Sequence, residues 1–184
     1  WQNPSSSNLV KLLPRTSIKD LIRLLEDRYG IGMDLRNAVE KNYICFGSSD
    51  SDLEEMIKVQ ELFEWWELDC LGACIDIAHG HSEKGLRAIE KARSCKTFSS
   101  IMTGSIASID AIDDCLAAGA DVLRVGIGSG NCCTTREITK VGVPGASLIF
   151  EMSEHLDNIN NSARLIADGG IRTSGDCAAY LACG

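Results

Sequence analysis

The residues best suited to chemistry lie in one stretch, RVGIGSGNCCTTRE, at residues 124–137. Gly126, Gly128 and Gly130 alternate, which lets the backbone turn tightly and point its N–H or C=O groups at one place. Such a loop can hold a phosphate through its amides or a monovalent cation through its carbonyls. Cys133 follows directly, and a thiol exposed at such a turn becomes a nucleophile when its pKa is lowered. The stretch therefore predicts a reactive cysteine beside an ion-binding loop.

The segments around this loop predict alternating strands and helices. Helices are predicted at residues 50–66, 79–94, 105–120 and 145–159 and from residue 174 onward, with Gly119 as a C-terminal cap. Strands that alternate with helices at this spacing indicate parallel βαβ units. The predicted strands are the short apolar runs at residues 43–47, 71–78, 97–104, 121–128 and 163–170.

The ends of these runs favour a TIM (β/α)8 barrel. Each run ends in glycine or a small polar residue, and in such a barrel the carboxyl ends of the strands form the active-site face. A doubly wound open sheet is the alternative, since its ligands also bind at carboxyl strand ends. Five strands, with a sixth hidden within residues 1–13, are fewer than the eight that a closed barrel needs. We therefore expect a single, partial barrel domain over residues 1–184, either a fragment or a join of ordered segments.

Composition narrows the classes of function. A net charge of −8 argues against binding to nucleic acid or an anionic membrane. No apolar run approaches the roughly 20 residues of a membrane span, and no signal peptide is recognised, so we expect a cytoplasmic protein. Nine cysteines without a C-x-x-C pair indicate neither a zinc site nor a redox motif. All of them except Cys132 and Cys133 are predicted to be reduced thiols that pack in the core.

His79 and His81 flank Gly80 at a predicted strand end and have the look of a metal-binding pair. No third ligand stands at a suitable spacing, so these histidines are predicted to line the site or to lie at the surface.

Several segments, taken in order, resemble the inosine monophosphate dehydrogenase and guanosine monophosphate reductase family. GIGSGNCCTTRE resembles the family loop G-x-G-x-G-S-x-C-T-T-R, and CIDIAHGHSE resembles C-x-D-x-A-x-G-x-S-E. IMTGSIAS resembles the strand end M-A-G-N-V-x-T, and LIADGGIRTSGD resembles I-x-D-G-G-I. The resemblance covers residues 11–184 and is strongest from residue 71 onward.

The resemblance implies a role for each matching residue on the nucleotide side. Cys133 matches the nucleophile that attacks C2 of the purine nucleotide, and Thr135 matches the threonine that handles a proton. Asp168 matches the aspartate that holds the ribose hydroxyls, and Gly169 and Gly170 match the glycines beside the phosphate. Asn131 stands where the family has a serine that contacts phosphate. Cys132 takes an aliphatic position, and we expect it to pack.

The resemblance also implies a dinucleotide side and a cation site. Asp76, Gly104 and Ser105 match the dinucleotide side, although Ser105 replaces the asparagine of the family. The backbone carbonyls of Gly128, Gly130 and Cys133 match a loop that holds a monovalent cation, K⁺. NADPH is the expected cofactor, with NAD as the alternative.

The sequence is compatible with three functions. The first is a homotetrameric reductase that converts guanosine monophosphate to inosine monophosphate and releases ammonia. It is favoured because the segment before the third strand leaves no room for the regulatory insert typical of the dehydrogenases. The second is the NAD-dependent oxidation of inosine monophosphate to xanthosine monophosphate. The third is a degenerate barrel that binds the nucleotide without turnover, which Asn131, Ser105 and the missing strands favour.

Overall fold

The computed structural model describes residues 11–13, 42–65, 70–130 and 133–184, which contain six strands and six helices. No helix in these ranges is long and apolar enough to cross a membrane. The strands are β1 (Lys11–Leu13), β2 (Asn42–Phe46), β3 (Cys70–Asp76), β4 (Phe98–Ile106), β5 (Val122–Val125) and β6 (Arg164–Ala167). The helices are α1 (Asp50–Trp65), α2 (Glu83–Ser94), α3 (Ile109–Ala118), α4 (Thr135–Ile138), α5 (Gly145–Asn158) and α6 (Ser174–Ala182).

The six strands form one parallel sheet in the order β1-β2-β3-β4-β5-β6. A doubly wound sheet reverses its strand order at a switch point, and the strands described here have no such reversal. Sequential parallel strands joined through helices are the wall of a (β/α)8 barrel. The predicted partial barrel is thus confirmed, with six of its strands in the described residues, and β1 is the sixth strand expected within residues 1–13.

Several predicted elements are shorter in the structure than the apolar runs suggested. Strand β5 ends at Val125 and β6 ends at Ala167, several residues before the predicted ends. Gly126 and Gly169 follow with φ of 133° and 82°, which are not strand conformations. Helix α2 begins at Glu83 rather than at residue 79, because the side chain of Ser82 caps it by accepting from the backbone N–H of Gly85 at 3.2 Å.

The two faces of the sheet have different neighbours. One face packs against the helices, with Ile75, Ile101 and Leu123 fully buried there. The opposite face carries a smaller cluster that lines the interior of the barrel wall. Its buried members lie in register across neighbouring strands, and they are Tyr43, Cys45, Cys74, Met102 and Val122. Strand residues therefore alternate between helix contacts and the barrel interior, as the pleat requires.

Most of the cysteines that the structure describes are core residues, as predicted. The buried ones are Cys45, Cys70, Cys74, Cys95 and Cys115. The prediction was wrong for Cys177, which is exposed on α6. Cys183, half-buried after α6, packs against the core. Helix α6 packs chiefly against α5, so most of its residues keep contact with solvent. Cys132 lies outside the described residues.

Local caps fix the helices that surround the site. Gly119 ends α3 in the left-handed conformation with φ of 106°, and its N–H donates to the carbonyls of Cys115 and Leu116, which confirms the predicted cap. At α6, Thr173 and Asp176 form a capping box, each side chain accepting from the backbone N–H of the other residue. The cap at Gly119 turns the chain from α3 toward β5, and the capping box holds the loop between β6 and α6.

Candidate functional site

A cavity of about 320 Å³ opens where the loops after β4, β5 and β6 meet. Ser105 reaches it from the end of β4, and residues 168–169 reach it from the end of β6. The loop after β5 contributes residues 126–130, Cys133 and Thr135. The cavity therefore lies at the carboxyl edge of the sheet, which is the edge that carries the active site in β/α barrels.

Glycines bring the β5 and β6 loops into direct contact. A Cβ atom on Gly126 would lie 2.7 Å from the carbonyl oxygen of Asp168, and one on Gly169 would lie 2.9 Å from the backbone nitrogen of Gly130. Gly126 and Gly169 also have positive φ, which side chains disfavour. The side chain of Ser129 donates to the carbonyl of Asp168 and joins the same two loops. Only glycine allows this approach, so the predicted loop has a packing role as well as a chemical one.

Cys133 and Thr135 both line the cavity and contact each other. Sγ of Cys133 lies 3.1 Å from Oγ1 of Thr135, and the Cys133 N–H donates to the carbonyl of Gly130 at 3.0 Å. The Cys133 side chain is exposed. Its pKa is lowered below the ordinary cysteine value, first by the Thr135 hydroxyl, then by the Thr135 backbone N–H, with a further contribution from the charge of Arg136. The arrangement favours a thiolate that faces the cavity.

Two buried thiols elsewhere in the chain, Cys70 and Cys115, behave in the opposite way. Burial raises the pKa of Cys70 to about 12, and burial together with the charge of Asp114 raises the pKa of Cys115 to about 11. Such thiols stay protonated at neutral pH and are poor nucleophiles. Cys133 is thereby distinguished from these core cysteines by its environment.

Arg124 joins two of the predicted site residues, and its sequence position alone did not single it out. Its Nη1 donates to Oδ1 of Asp76 at 2.7 Å, and its Nη2 donates to Oδ2 of Asp168 at 2.8 Å. Strand alternation holds the signal that could have revealed it. Val122 faces the barrel interior, so Arg124, two residues later, faces the same way. An arginine on an interior face needs acidic partners.

Asp168 is held at several points while one oxygen stays open. Its N–H donates to the carbonyl of Val125 at 2.8 Å, and Oγ of Ser105 donates to its Oδ2 at 3.2 Å. Arg124 also binds Oδ2. The carboxylate contacts within the described residues all use this atom, so Oδ1 can accept from a ligand. Asp168 is thus oriented as a hydrogen-bond acceptor at the cavity wall.

Ser105 owes its position to a bulge in β4. The register with β5 shifts between Gly104 and Ile106, and such bulges redirect a side chain. The Ser105 N–H donates to the carbonyl of Ile77 at 2.9 Å, and the Ile77 N–H donates to the carbonyl of Gly104 at 3.0 Å. These bonds connect the ends of β3 and β4. Ser105 thereby points into the cavity and contacts Asp168.

The remaining predicted site residues lie around this centre. Gly104 is buried, and a Cβ there would lie 2.5 Å from Cβ of Arg124, so it supports the arginine rather than lining the cavity. Asp76 meets the site through Arg124. Gly128 and Gly130 belong to the cavity wall, and Gly170 follows with φ of 79°. Asn131 lies outside the described residues.

His79 and His81 are not arranged as a metal-binding pair. Nε2 of His81 lies 2.7 Å from Oδ2 of Asp114 on α3, and the ring centroids of His79 and His81 are 6.4 Å apart. In the part of the chain that the structure describes, no three histidine, cysteine or acidic side chains are grouped as a metal site would need. His81 therefore fixes the loop after β3 to α3.

Known proteins resemble this chain along most of its length. The model of the IMP dehydrogenase / GMP reductase domain matches residues 36–184. The GMP reductase of Photobacterium profundum is 36% identical over 133 residues, which are 72% of this chain and 37% of that protein. The inosine-5'-monophosphate dehydrogenase of Borreliella burgdorferi is 39% identical over 154 residues, 82% of this chain and 37% of that protein.

Solved structures agree with these sequence relatives. GMP reductase from Trypanosoma brucei in complex with guanosine 5'-triphosphate has a TM-score of 0.67 and 28% identity, and the match covers 90% of this chain and 37% of that one. Inosine 5' monophosphate dehydrogenase from Legionella pneumophila has a TM-score of 0.65 and 28% identity, over 78% of this chain and 41% of that one. The chain spans less than two fifths of the length of its curated relatives. It belongs to the IMP dehydrogenase / GMP reductase family.

Proposed function

We propose that the protein reduces guanosine monophosphate to inosine monophosphate with release of ammonia and with NADPH as the hydride donor. The observation that carries the proposal is the contact of 3.1 Å between Cys133 and Thr135 in a cavity that also holds Asp168. The relatives named GMP reductase support the same reading. A further supporting relative is the Trypanosoma brucei enzyme, solved in complex with guanosine 5'-monophosphate.

The nucleotide would bind across the β5 and β6 loops. Oδ1 of Asp168 accepts from a ribose hydroxyl, while the backbone N–H groups of Gly169 and Gly170 bind the phosphate, which is the role that loop amides fill in other proteins. This placement brings C2 of the purine to Sγ of Cys133 on the opposite wall. The cavity volume of about 320 Å³ limits the site to a ligand of roughly nucleotide size.

The chemistry then follows from the thiolate and the hydroxyl. Sγ of Cys133 bonds to C2 of the purine, and the exocyclic amino group leaves as ammonia after it receives a proton from Oγ1 of Thr135, which solvent replaces. The reduced nicotinamide, when bound, supplies a hydride to C2. The C–S bond breaks, Cys133 is restored as a thiolate, and inosine monophosphate is released. One guanosine monophosphate, one NADPH and one proton from solvent thus give one inosine monophosphate, one oxidised cofactor and one ammonia.

Asp76 and Ser105 are suited to bind a cofactor that carries ribose groups. The Asp76 side chain keeps 44% of its surface exposed even though Arg124 binds it, so its carboxylate can accept from sugar hydroxyls. The Ser105 hydroxyl lines the cavity and contacts Asp168. These residues would orient the nicotinamide end of the cofactor toward Cys133. The bound cofactor would then exclude water from the space between the nicotinamide and Cys133.

The β5 loop also suits a monovalent cation. The carbonyls of Gly128, Gly130 and Cys133 are the proposed ligands, and the Gly130 carbonyl is already fixed by the Cys133 N–H. A cation there would hold the loop that carries the nucleophile. We expect turnover to rise when K⁺ replaces a bulky organic cation in the buffer.

The second candidate is the dehydrogenase reaction, which the Borreliella burgdorferi relative favours because it shares 39% identity. The length of the chain between β1 and β2 supports the reductase, since residues 14–41 leave no space for a paired regulatory domain at that point. The discriminating experiment supplies the full-length protein with either pair of substrates. Guanosine monophosphate with NADPH should release ammonia, and inosine monophosphate with NAD should give no xanthosine monophosphate. Xanthosine monophosphate as a product would establish the second candidate instead.

A further inference from the structure

The guanidinium of Arg124 forms hydrogen bonds with two carboxylates that belong to different strand ends. Asp76 ends β3 and Asp168 follows β6, and Arg124 on β5 donates one nitrogen to each, at 2.7 Å and 2.8 Å. The arginine side chain is only 14% exposed, whereas the two carboxylates are 44% and 39% exposed. The guanidinium is thus inside the wall, and its partners face the ligands.

The position of the guanidinium is tightly constrained. Burial disfavours its charge, but the hydrogen bonds to Asp76 and Asp168 outweigh burial and raise the pKa of Arg124, which therefore stays protonated. Cβ of Arg124 also lies 2.5 Å from where a Cβ of Gly104 would be, so the β4 backbone leaves no space beside it. A change at either carboxylate consequently changes how the guanidinium meets the other one.

We propose that Arg124 is a positioning residue that couples nucleotide binding at Asp168 to dinucleotide binding at Asp76, an inference that rests on the proposed function. While the guanidinium serves both carboxylates with one nitrogen each, each carboxylate retains one oxygen for a ribose hydroxyl. Without Asp76, both nitrogens are free to close on Asp168 in the bidentate geometry that arginine prefers. That geometry covers Oδ1, the oxygen that the nucleotide needs.

The coupling is reciprocal because it is a property of one equilibrium. If a dinucleotide bound at Asp76 changes the nucleotide affinity by some factor, a nucleotide bound at Asp168 changes the dinucleotide affinity by the same factor. Binding at one subsite would then change the affinity at the other without direct contact between the two ligands. This property separates coupling through Arg124 from coupling through direct stacking of the ligands.

The test measures guanosine monophosphate binding to the full-length protein by calorimetry, with no dinucleotide present. Asp76→Asn should weaken nucleotide binding about fivefold or more. In an Arg124→Lys background, Asp76→Asn should change the Kd for guanosine monophosphate by less than about twofold. The reason is that the guanidinium that binds both carboxylates is absent. Arg93→Lys is the matched control. Arg93 also bridges two partners, the Gly119 carbonyl and Asp121, but at the opposite end of the barrel, so nucleotide binding should stay unchanged.

The possible results distinguish a failure of the coupling from a failure of the proposed function. Equal effects of Asp76→Asn in both backgrounds, or no effect in the wild-type background, would overturn the coupling while the proposed function stands. Absence of guanosine monophosphate binding to the wild-type protein would overturn the proposed function and the coupling with it. If circular dichroism shows that Arg124→Lys does not fold, Asp168→Asn replaces it. That variant must then weaken NADPH binding in the absence of nucleotide, and unchanged NADPH binding contradicts the coupling.

Discussion

Oγ1 of Thr135 lies 3.1 Å from Sγ of Cys133, and the two residues are separated by a single position in the chain. This spacing lets one hydroxyl act in two ways. In the proposed reaction it stabilises the thiolate before attack and then protonates the amino group that leaves C2 of the purine. The contact depends on the turn at residues 133–134 and on the helical turn α4, which begins at Thr135.

Replacing Cys133 by alanine should abolish turnover of guanosine monophosphate with NADPH, because no other thiol in the described residues lines the cavity. Cys177→Ala is the matched control, since Cys177 is also exposed but lies on α6, and it should keep full activity. Cys132→Ala should keep most of its activity, because the sequence predicts that Cys132 packs and that Cys133 is the nucleophile. Initial rates of NADPH consumption check these variants, and equal losses at Cys132 and Cys133 would refute the assignment.

The reactivity of Cys133 should rise with pH and level off below the range of an ordinary cysteine, because its pKa is lowered and the thiolate is the reactive form. Thr135→Val removes the hydroxyl that contributes most to this lowering. The midpoint of the pH profile should then move upward. Iodoacetamide modification of Cys133, followed by peptide mass spectrometry at a series of pH values, measures the shift. A profile that stays in place in the valine variant would show that the hydroxyl does not stabilise the thiolate.

Asp168→Asn should raise the KM for guanosine monophosphate far more than the KM for NADPH. A hydrogen bond to a charged acceptor contributes about 1.5–3 kcal/mol, so losing one weakens nucleotide binding about ten- to a hundredfold. Steady-state kinetics with each substrate varied in turn gives both constants. A nucleotide KM within about twofold of the wild-type value would remove the ribose role from Asp168.

Gly126→Ala should destabilise the fold by about 1–3 kcal/mol, since the residue has φ of 133° and its new Cβ would lie 2.7 Å from the Asp168 carbonyl oxygen. Gly175→Ala is the matched control. Its Cβ would meet its nearest neighbour at 3.6 Å, and the position lies in the first turn of α6. Urea denaturation of both variants gives the free energy of unfolding. Similar stabilities for the two variants would mean that the loops after β5 and β6 separate without cost.

The parts of the fold that depend on local sequence could be predicted. The strand order, the cap at Gly119 and the loop that carries Cys133 follow from apolar runs and from glycine positions in neighbouring segments. The ion pairs of Arg124 could not be predicted in the same way. They depend on the register that places Arg124 opposite Gly104 and Gly104 opposite Asp76, together with the position of β6. Exposure of Cys177 likewise depends on what packs against α6, which local sequence does not determine.

Trapping the covalent bond between Sγ of Cys133 and C2 of the purine is the decisive experiment for the proposed reaction. The full-length protein is incubated with inosine monophosphate and oxidised NADP in the absence of ammonia, then quenched and digested. The Cys133 thiolate adds to C2, a hydride leaves to the oxidised cofactor, and without ammonia the reductase cannot complete the reverse reaction. Mass spectrometry should find the nucleotide on the peptide that contains Cys133 and none on the Cys177 peptide. A nucleotide on another cysteine, or no adduct while guanosine monophosphate is still reduced, would contradict the account.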